Sequence, residues 1–247
     1  MKYKMTIAYD GTTYGGWQVQ TNATAIQTLI ENSLKIALRQ ETPIVGAGRT
    51  DAGVHALAQA AHFSCEQQID LFKLRASLNG LLPLDIRIRE IEHVDEKFHA
   101  RYSAVSKEYH YHLHLDRVLN PFKRLYSMHV HSPVDLDLLK KGATVFIGTH
   151  DFTSFANEAH EGTAARDPVR TITRLDVVDE PGGLRLEFEG NGFLYKMVRN
   201  ITGTLLDVSS GKIPLETIPD IFAAKDRRRA GKAAPPEGLF LVKINYS

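Results

Sequence analysis

The 247-residue chain has a single cysteine, Cys65, and a single tryptophan, Trp17. One thiol excludes an internal disulfide framework and fits a reducing compartment. No apolar run approaches the roughly 20 residues needed to cross a bilayer. The opening Met1-Lys-Tyr-Lys-Met5 leads into an alternating pattern and not into a signal-peptide core. These absences predict a soluble, cytoplasmic protein. Net charge is also nearly absent, +1 from 30 Lys and Arg against 29 Asp and Glu, but the distribution is uneven. Lys225, Arg227, Arg228, Arg229 and Lys232 crowd together with only Asp226 among them. Such a run reads either as a solvated face or as a surface for a polyanion. The rest of the composition, 43% hydrophobic and 24% charged, is ordinary for a globular chain, and the length suits one large domain or two small ones.

The most distinctive stretch is residues 46–56, Gly-Ala-Gly-Arg-Thr-Asp-Ala-Gly-Val-His-Ala. Arg49, Thr50, Asp51 and His55 stand among Gly46, Gly48 and Gly53, in a segment too rich in glycine for a helix interior. Polar groups crowded into a loop on a rigid scaffold serve a ligand or a reaction. The alternative is a tight turn, with Asp51 satisfying nearby backbone N–H groups and Arg49 as its surface partner. A dinucleotide loop is disfavoured, because Arg-Thr-Asp follows the glycines and sets a carboxylate where a pyrophosphate must approach. No P-loop lysine follows either.

Tyr3, Met5, Ile7 and Tyr9 alternate with polar residues and predict a half-buried strand ended by Asp10-Gly11. Residues 12–20 read as a loop in which Trp17 either plugs a core edge or braces its neighbours. Thr24 and Gln27 have capping-box spacing ahead of Ile26, Leu29, Ile30, Leu34 and Ala37 at helical intervals. An extended piece at 43–45, the glycine-rich loop and a strand over 54–63 follow. Asp70 is placed to cap a second helix with Leu71, Leu74, Leu78 and Leu81 inward, stopped by Asn79-Gly80 and Pro83. Ile86, Ile88 and Ile91 supply a closing strand whose late break in alternation suggests a bulge. This β-α-β-β-α-β order is the split βαβ, or ferredoxin-like, arrangement.

The second part reads as a repeat of that order. A strand at Tyr126, Met128 and Val130 precedes a helix lined by Leu136, Leu139, Ala143 and Phe146. A hairpin turns about Glu180-Pro-Gly-Gly183; a helix through Leu194, Met197, Val198, Ile201, Leu205 and Val208 and a closing strand over 238–246 complete it. The expected fold is therefore α+β, with ferredoxin-like halves 1–104 and 105–247 joined into an extended, mainly antiparallel sheet. A central cleft is expected between them, with the Asp51 loop looking into it.

Residues 107–115 form a further strand. His110, His112 and His114 share one face of it. Neighbours along a strand face sit about 7 Å apart, too far to share a tetrahedral zinc without bending, so a solvated histidine face is expected. Tyr109 and Tyr111 occupy the other face, as tethered core residues or as a stacking surface worth roughly 1–3 kcal/mol per nucleobase. Phe152 and Phe155 read as core. Lys196 and Arg199, one turn apart, give either an ordinary basic helix edge or, at the arginine, a partner for the Asp51 carboxylate.

Six segments taken together, Gly15-Gly-Trp-Gln18, Gly48-Arg-Thr-Asp-Ala-Gly-Val-His55, Lys107-Glu-Tyr109, Gly148-Thr-His-Asp-Phe152, residues 192–203 and residues 236–242, resemble the tRNA pseudouridine synthase A family. The resemblance runs in the family's order from about Tyr3 to Tyr246. It implies isomerisation of uridine to pseudouridine at positions 38, 39 and 40 of the tRNA anticodon stem-loop. It also implies a homodimer whose tRNA contacts both subunits, with no metal or organic cofactor. By the same resemblance Asp51 is the nucleophile, Tyr109 stacks on the target base, Arg199 pairs with the aspartate, and Arg49 helps hold the RNA in place of the flipped nucleotide. The first half would carry the catalytic loop, and the second a basic helix and the tRNA-binding surface. The reaction gains and loses no atoms, and a carboxylate can start it either as covalent nucleophile or as the base of an elimination. Extruding a stem base costs a few kcal/mol, which an aromatic platform partly offsets. The basic run at 225–232, Arg166, Arg170 and Arg174 read as phosphate contacts. The acidic segment 158–167 carries no information on which tRNAs are favoured.

Overall fold

The alternation that opens the chain builds β1 (Lys2–Tyr9), with Tyr3, Met5, Ile7 and Tyr9 buried and the intervening side chains on the opposite face. The computed structural model describes residues 1–18, 23–157 and 167–247. Arg166, the rest of the acidic segment up to it, and Val19 and Gln20 of the Trp17 loop lie outside the described residues. The chain divides into two compact units, Met1–Val105 with Phe240–Ser247, and Ser106–Leu239. No helix among the described residues is long and apolar enough to cross a membrane.

In the first unit β1 lies between β3 (His55–Ser64) and β4 (Ile86–Val94), antiparallel to both. The buried column of β1 faces its equivalents across the ladder, Tyr3 opposite Phe63, Met5 opposite Ala61 and Ile7 opposite Gln59. The bulge expected in β4 is present, since Thr6 pairs with Glu90 and Ile7 with Ile88, so that Arg89 is the extra residue. The short β2 (Val45–Gly46) pairs only with the His62 and Ala61 end of β3. The other end of that edge is taken by β10 (Leu239–Tyr246), parallel to β3, with Phe240 opposite His55 and Leu241 opposite Ala56. An uncovered strand edge is a standing site for pairing, and this one recruits the strand that was expected to close the second half.

Two helices accompany this sheet. In α1 (Ile26–Leu38) the capping box is not formed. The carbonyls of Gly16 and Trp17 accept the N–H groups of Ile26 and Gln27, while the Gln27 side chain donates to Glu31 and to the Ile44 carbonyl. A loop supplies what a cap would have supplied. In α2 (Leu71–Leu81) Asp70 caps as expected, its side chain accepting from the Lys73 N–H at 3.1 Å. The helix runs through Asn79-Gly80 and leaves Leu81 exposed. The Asn79 amide is committed instead to β4, exchanging hydrogen bonds of 2.9 and 2.8 Å with the Ile88 main chain.

In the second unit the sheet order is β5 (Ala104–His114), β9 (Gly183–Gly190), β8 (Val169–Glu180), β7 (Gly148–Asp151). The β8–β9 hairpin turns where the sequence places it, with Gly182 at φ +76°. The strand expected around Tyr126 shrinks to β6 (Met128–His129), parallel to β5. The element β7, not anticipated as a strand, forms the edge beside β8. Tyr109, Tyr111 and Leu113 of β5 and Leu184, Leu186 and Phe188 of β9 are buried. The helices α3 (Leu136–Val145) and α4 (Met197–Ser209) pack on one another, and α3 also packs on β8. Phe146, Phe152 and Phe155 are fully buried, and α5 (Ile218–Ala224) adds Phe222 to their cluster.

Candidate active site

Asp51 lies half-buried on the loop between β2 and β3. Buried groups hold the main chain before it. The Ala47 N–H donates to the Ala60 carbonyl at 2.8 Å, Gln59 Nε2 donates to the Gly48 carbonyl at 2.9 Å, and the Tyr9 hydroxyl lies 2.8 Å from Thr50 Oγ1. The segment running from Gly11 to Trp17 closes round the other side. Trp17 N–H donates to the Thr50 carbonyl at 3.2 Å and Gly53 N–H to the Tyr14 carbonyl at 3.4 Å. Gly16, at φ +96°, passes so close that a Cβ there would lie 2.4 Å from the Thr50 carbonyl oxygen. Both readings of Trp17 therefore hold: its ring is buried in the core while its main chain braces the loop.

The Asp51 carbonyl accepts from Val54 N–H at 3.1 Å, closing a turn. Arg49 is exposed. His55, 1% exposed, accepts from Gly11 N–H through Nδ1 at 3.0 Å and stacks on the Phe240 ring at 4.5 Å. Asp10 Oδ1, 3.1 Å from the same Nδ1, already accepts from the Thr12 main chain and hydroxyl.

Tyr109 and Arg199 belong to the second unit. Tyr109 stands opposite Phe188 on β9, is 8% exposed, and meets the Phe193 ring edge-on at 5.1 Å. Its neighbour Tyr111 is the tethered core tyrosine, donating to the Pro235 carbonyl at 2.7 Å; burial pushes its phenol up. Arg199, in the first turn of α4, is tied in both directions to Ala234: its Nε donates to the Ala234 carbonyl at 2.7 Å, and Ala234 N–H donates to the Arg199 carbonyl at 2.9 Å.

The basic run divides by role. Arg227 turns inward, its Nη2 donating at 2.8 Å to Oδ1 of the fully buried Asn200, and burial lowers its pKa. Asn200 in turn donates to the Phe155 carbonyl and to Asn157. Lys225 pairs with Asp151 at 2.8 Å and Arg228 with Asp226 at 2.7 Å. Arg229 and Lys232 are exposed. Only part of the run is thus available as the phosphate surface expected of all of it.

Arg174 is likewise committed. It contacts Glu108 at 2.7 Å, Asp176 at 3.3 Å, Glu189 at 3.5 Å and also Glu187. Burial alone would lower its pKa, but the bonds to Glu187, Glu108 and Asp176 hold it raised. Arg170 donates to the main-chain carbonyls of Asp167 and Val169. The histidine face is not solvated either, because β9 and β8 present acids opposite it. His110 lies 3.8 Å from Glu187 of β9 and 2.9 Å from Glu108 of its own strand, His112 lies 2.9 Å from Glu180 of β8, and His114 is buried. The ligating atoms of Glu108, His110 and Glu187 lie within 4.8 Å of one another, but Arg174 bridges both carboxylates and Arg185 also pairs with Glu187. A metal ion there would have to displace a guanidinium.

Sequence reasoning passed over Tyr9 and Gln59 as site residues. The signal was visible, since Gln59 falls where the inward face of β3, shared with Ala61 and Phe63, calls for an apolar side chain.

A family model described as tRNA pseudouridine synthase matches residues 5–103 and 143–247. The chain is 62% identical over 245 residues to tRNA pseudouridine synthase A 1 of Protochlamydia amoebophila (strain UWE25), covering 99% of this chain and 96% of that protein. It is 45% identical over 248 residues to tRNA pseudouridine synthase A of Bacillus pumilus (strain SAFR-032), covering 100% and 99%. It is also 45% identical over 250 residues to tRNA pseudouridine synthase A of Chlamydia pneumoniae, covering 100% and 92%.

Proposed function

The chain belongs to the tRNA pseudouridine synthase family, isomerases that convert uridine to pseudouridine in tRNA, and on that premise we propose that Asp51 is the nucleophile. Its substrate is a uridine flipped out of the anticodon stem-loop at position 38, 39 or 40. The observation that carries this reading is the tethering of the chain on both sides of Asp51, by hydrogen bonds to the Gly48 carbonyl and to the Thr50 carbonyl and hydroxyl before it and from Gly53 and Val54 N–H after it. Such tethering supports the reading because a reacting carboxylate must be held close to its attack geometry.

In the reaction the N1–C1′ bond of the nucleoside breaks, the uracil turns, and a C5–C1′ bond forms. The hydrogen leaves C5 and N1 gains one, so the atoms balance without oxidant or cofactor. Asp51 acts as covalent nucleophile or as the base that starts elimination. Tyr109 stacks on the extruded base, with Phe193 moving aside from the T-shaped contact it now makes with that ring. Arg199 is assigned as charge partner of the Asp51 carboxylate, and the clamp of its Nε on Ala234 supports an oriented guanidinium. Arg49, exposed beside the aspartate, is assigned to the RNA strand left by the flipped nucleotide. Arg229 and Lys232 are the members of the basic run best disposed for phosphates. Residues 1–104 would supply the catalytic loop and 105–247 the tRNA-binding surface, in a cytoplasmic homodimer.

The test is to map pseudouridine in tRNA incubated with and without the protein. Modification confined to positions 38–40 is the expected result. Modification elsewhere, with those positions untouched, overturns the assignment of the site.

A further inference from the structure

Tyr9 and Gln59 are buried polar residues in an apolar layer. Tyr9 is 4% exposed and Gln59 fully buried, among Met5, Ile7, Ala61 and Phe63. A phenylalanine and a methionine would fill the same space. Burying a phenol and an amide is unfavourable unless both are hydrogen-bonded, and here the bonds converge on one place. Gln59 Nε2 holds the Gly48 carbonyl at 2.9 Å, and the Tyr9 hydroxyl holds Thr50 Oγ1 at 2.8 Å. The Gln59 Oε1 accepts from Ala60 N–H at 3.2 Å. The network therefore grips the chain on both sides of Arg49 and ends on the residue immediately before Asp51.

We propose that Tyr9 and Gln59 are positioning residues for the reaction, acting through Gly48 and Thr50 to set the attack geometry of Asp51. The proposal rests on Asp51 being the reacting carboxylate. A purely structural network and a positioning one differ in what an apolar replacement does. Removing one partner of a buried hydrogen bond costs about 1–3 kcal/mol of stability whatever the network is for, so melting registers Tyr9→Phe and Gln59→Met under either role and kcat separates the two. A displacement of about 1 Å at a reacting group, in contrast, costs about 100-fold in rate.

The experiment compares Tyr9→Phe, Gln59→Met, the double variant, Thr50→Val and Thr50→Ser in steady-state pseudouridine formation on unmodified tRNA transcript, alongside thermal melting and an Asp51→Asn control. Tyr9→Phe, Gln59→Met, the double variant and Thr50→Val are expected to lose kcat at least about tenfold while KM stays within about twofold. Thr50→Ser keeps the hydroxyl and is expected to retain kcat. Wild-type kcat in Tyr9→Phe and Gln59→Met, or equal kcat in Thr50→Val and Thr50→Ser, overturns the proposal. Should a core variant fail to fold, the Thr50 pair decides. An active Asp51→Asn enzyme would instead defeat the assignment of Asp51 itself, whereas an inactive one beside fully active Tyr9→Phe and Gln59→Met defeats only the positioning role.

Discussion

Replacing Arg227 and Arg229 separately with alanine should give opposite phenotypes, although they are two residues apart in one basic run. Arg227 makes a 2.8 Å bond to the buried Asn200 Oδ1 and a 3.3 Å bond to the Ala230 carbonyl. Hydrogen bonds to charged groups contribute about 1.5–3 kcal/mol each. Against this stand the burial that lowers the pKa of Arg227 and an Nε that lacks a partner in the described structure. The net destabilisation expected for Arg227→Ala is therefore about 2 kcal/mol, below the roughly 3–6 kcal/mol that two such bonds would contribute unopposed. Arg229 is exposed, and Arg229→Ala is expected to change stability by less than about 0.5 kcal/mol. In tRNA binding the order reverses. Each phosphate contact adds about 0.7–0.9 to the slope of log affinity against log salt, so Arg229→Ala should lower that slope by about one contact and Arg227→Ala should not. Thermal melting and a salt series of tRNA titrations read both quantities. An Arg227→Ala variant with unchanged melting and a reduced slope would refute the division of the run into anchor and surface.

Other perturbations follow the same physics. His62 is buried, accepts from Ala100 N–H through Nδ1 at 3.1 Å, and has its pKa pushed down to about 4 by burial, with His99 and Lys2 adding to it. The unfolded chain binds a proton there below about pH 6.5 that the native state refuses. Stability should thus fall as pH drops from 6.5 towards 4, by about 2–3 kcal/mol at pH 4.5. In His62→Asn, which keeps an acceptor without titrating, that part of the loss should vanish; urea unfolding at pH 7.5 and 4.5 with identical pH dependence in both proteins would contradict it. Tyr109→Phe is expected to keep near-normal pseudouridine formation and Tyr109→Ala to lose most of it, so equal rates would remove the stacking role. Arg174→Met should lower the melting temperature, because it leaves Glu108 and Glu187 short of a partner, without changing the salt slope of tRNA binding; a reduced slope would restore it as a phosphate contact.

Local pattern carried much of the fold. The period-2 burial of β1, the Asp70 cap of α2, the β4 bulge and the hairpin at residues 180–183 each follow from neighbours in the chain. What the sequence concealed was decided by distant partners. The Thr24 cap is replaced by carbonyls from Gly16 and Trp17. Strand β10 pairs with β3 because the two-residue β2 leaves that edge open. The histidines of β5 read as solvated only while the acids of β8 and β9 are out of view. The glycine-rich loop stood out from composition, because glycine excludes a helix interior and polar groups crowded there suit either a ligand or a tight turn. Of its supports, Gln59 left a trace as a polar residue on the inward face of β3, but Tyr9 looks like a core position until its hydrogen-bond partner is known.

The central claim concerns the chemistry of one carboxylate. The uracil C5 gives up its hydrogen when it becomes bonded to C1′, so tRNA carrying tritium at uridine C5 should release it to water in a single turnover by the wild-type enzyme. With Asp51→Ala in excess, and tRNA shown by titration to be bound, no release is expected; release at the wild-type rate would contradict the assignment of Asp51.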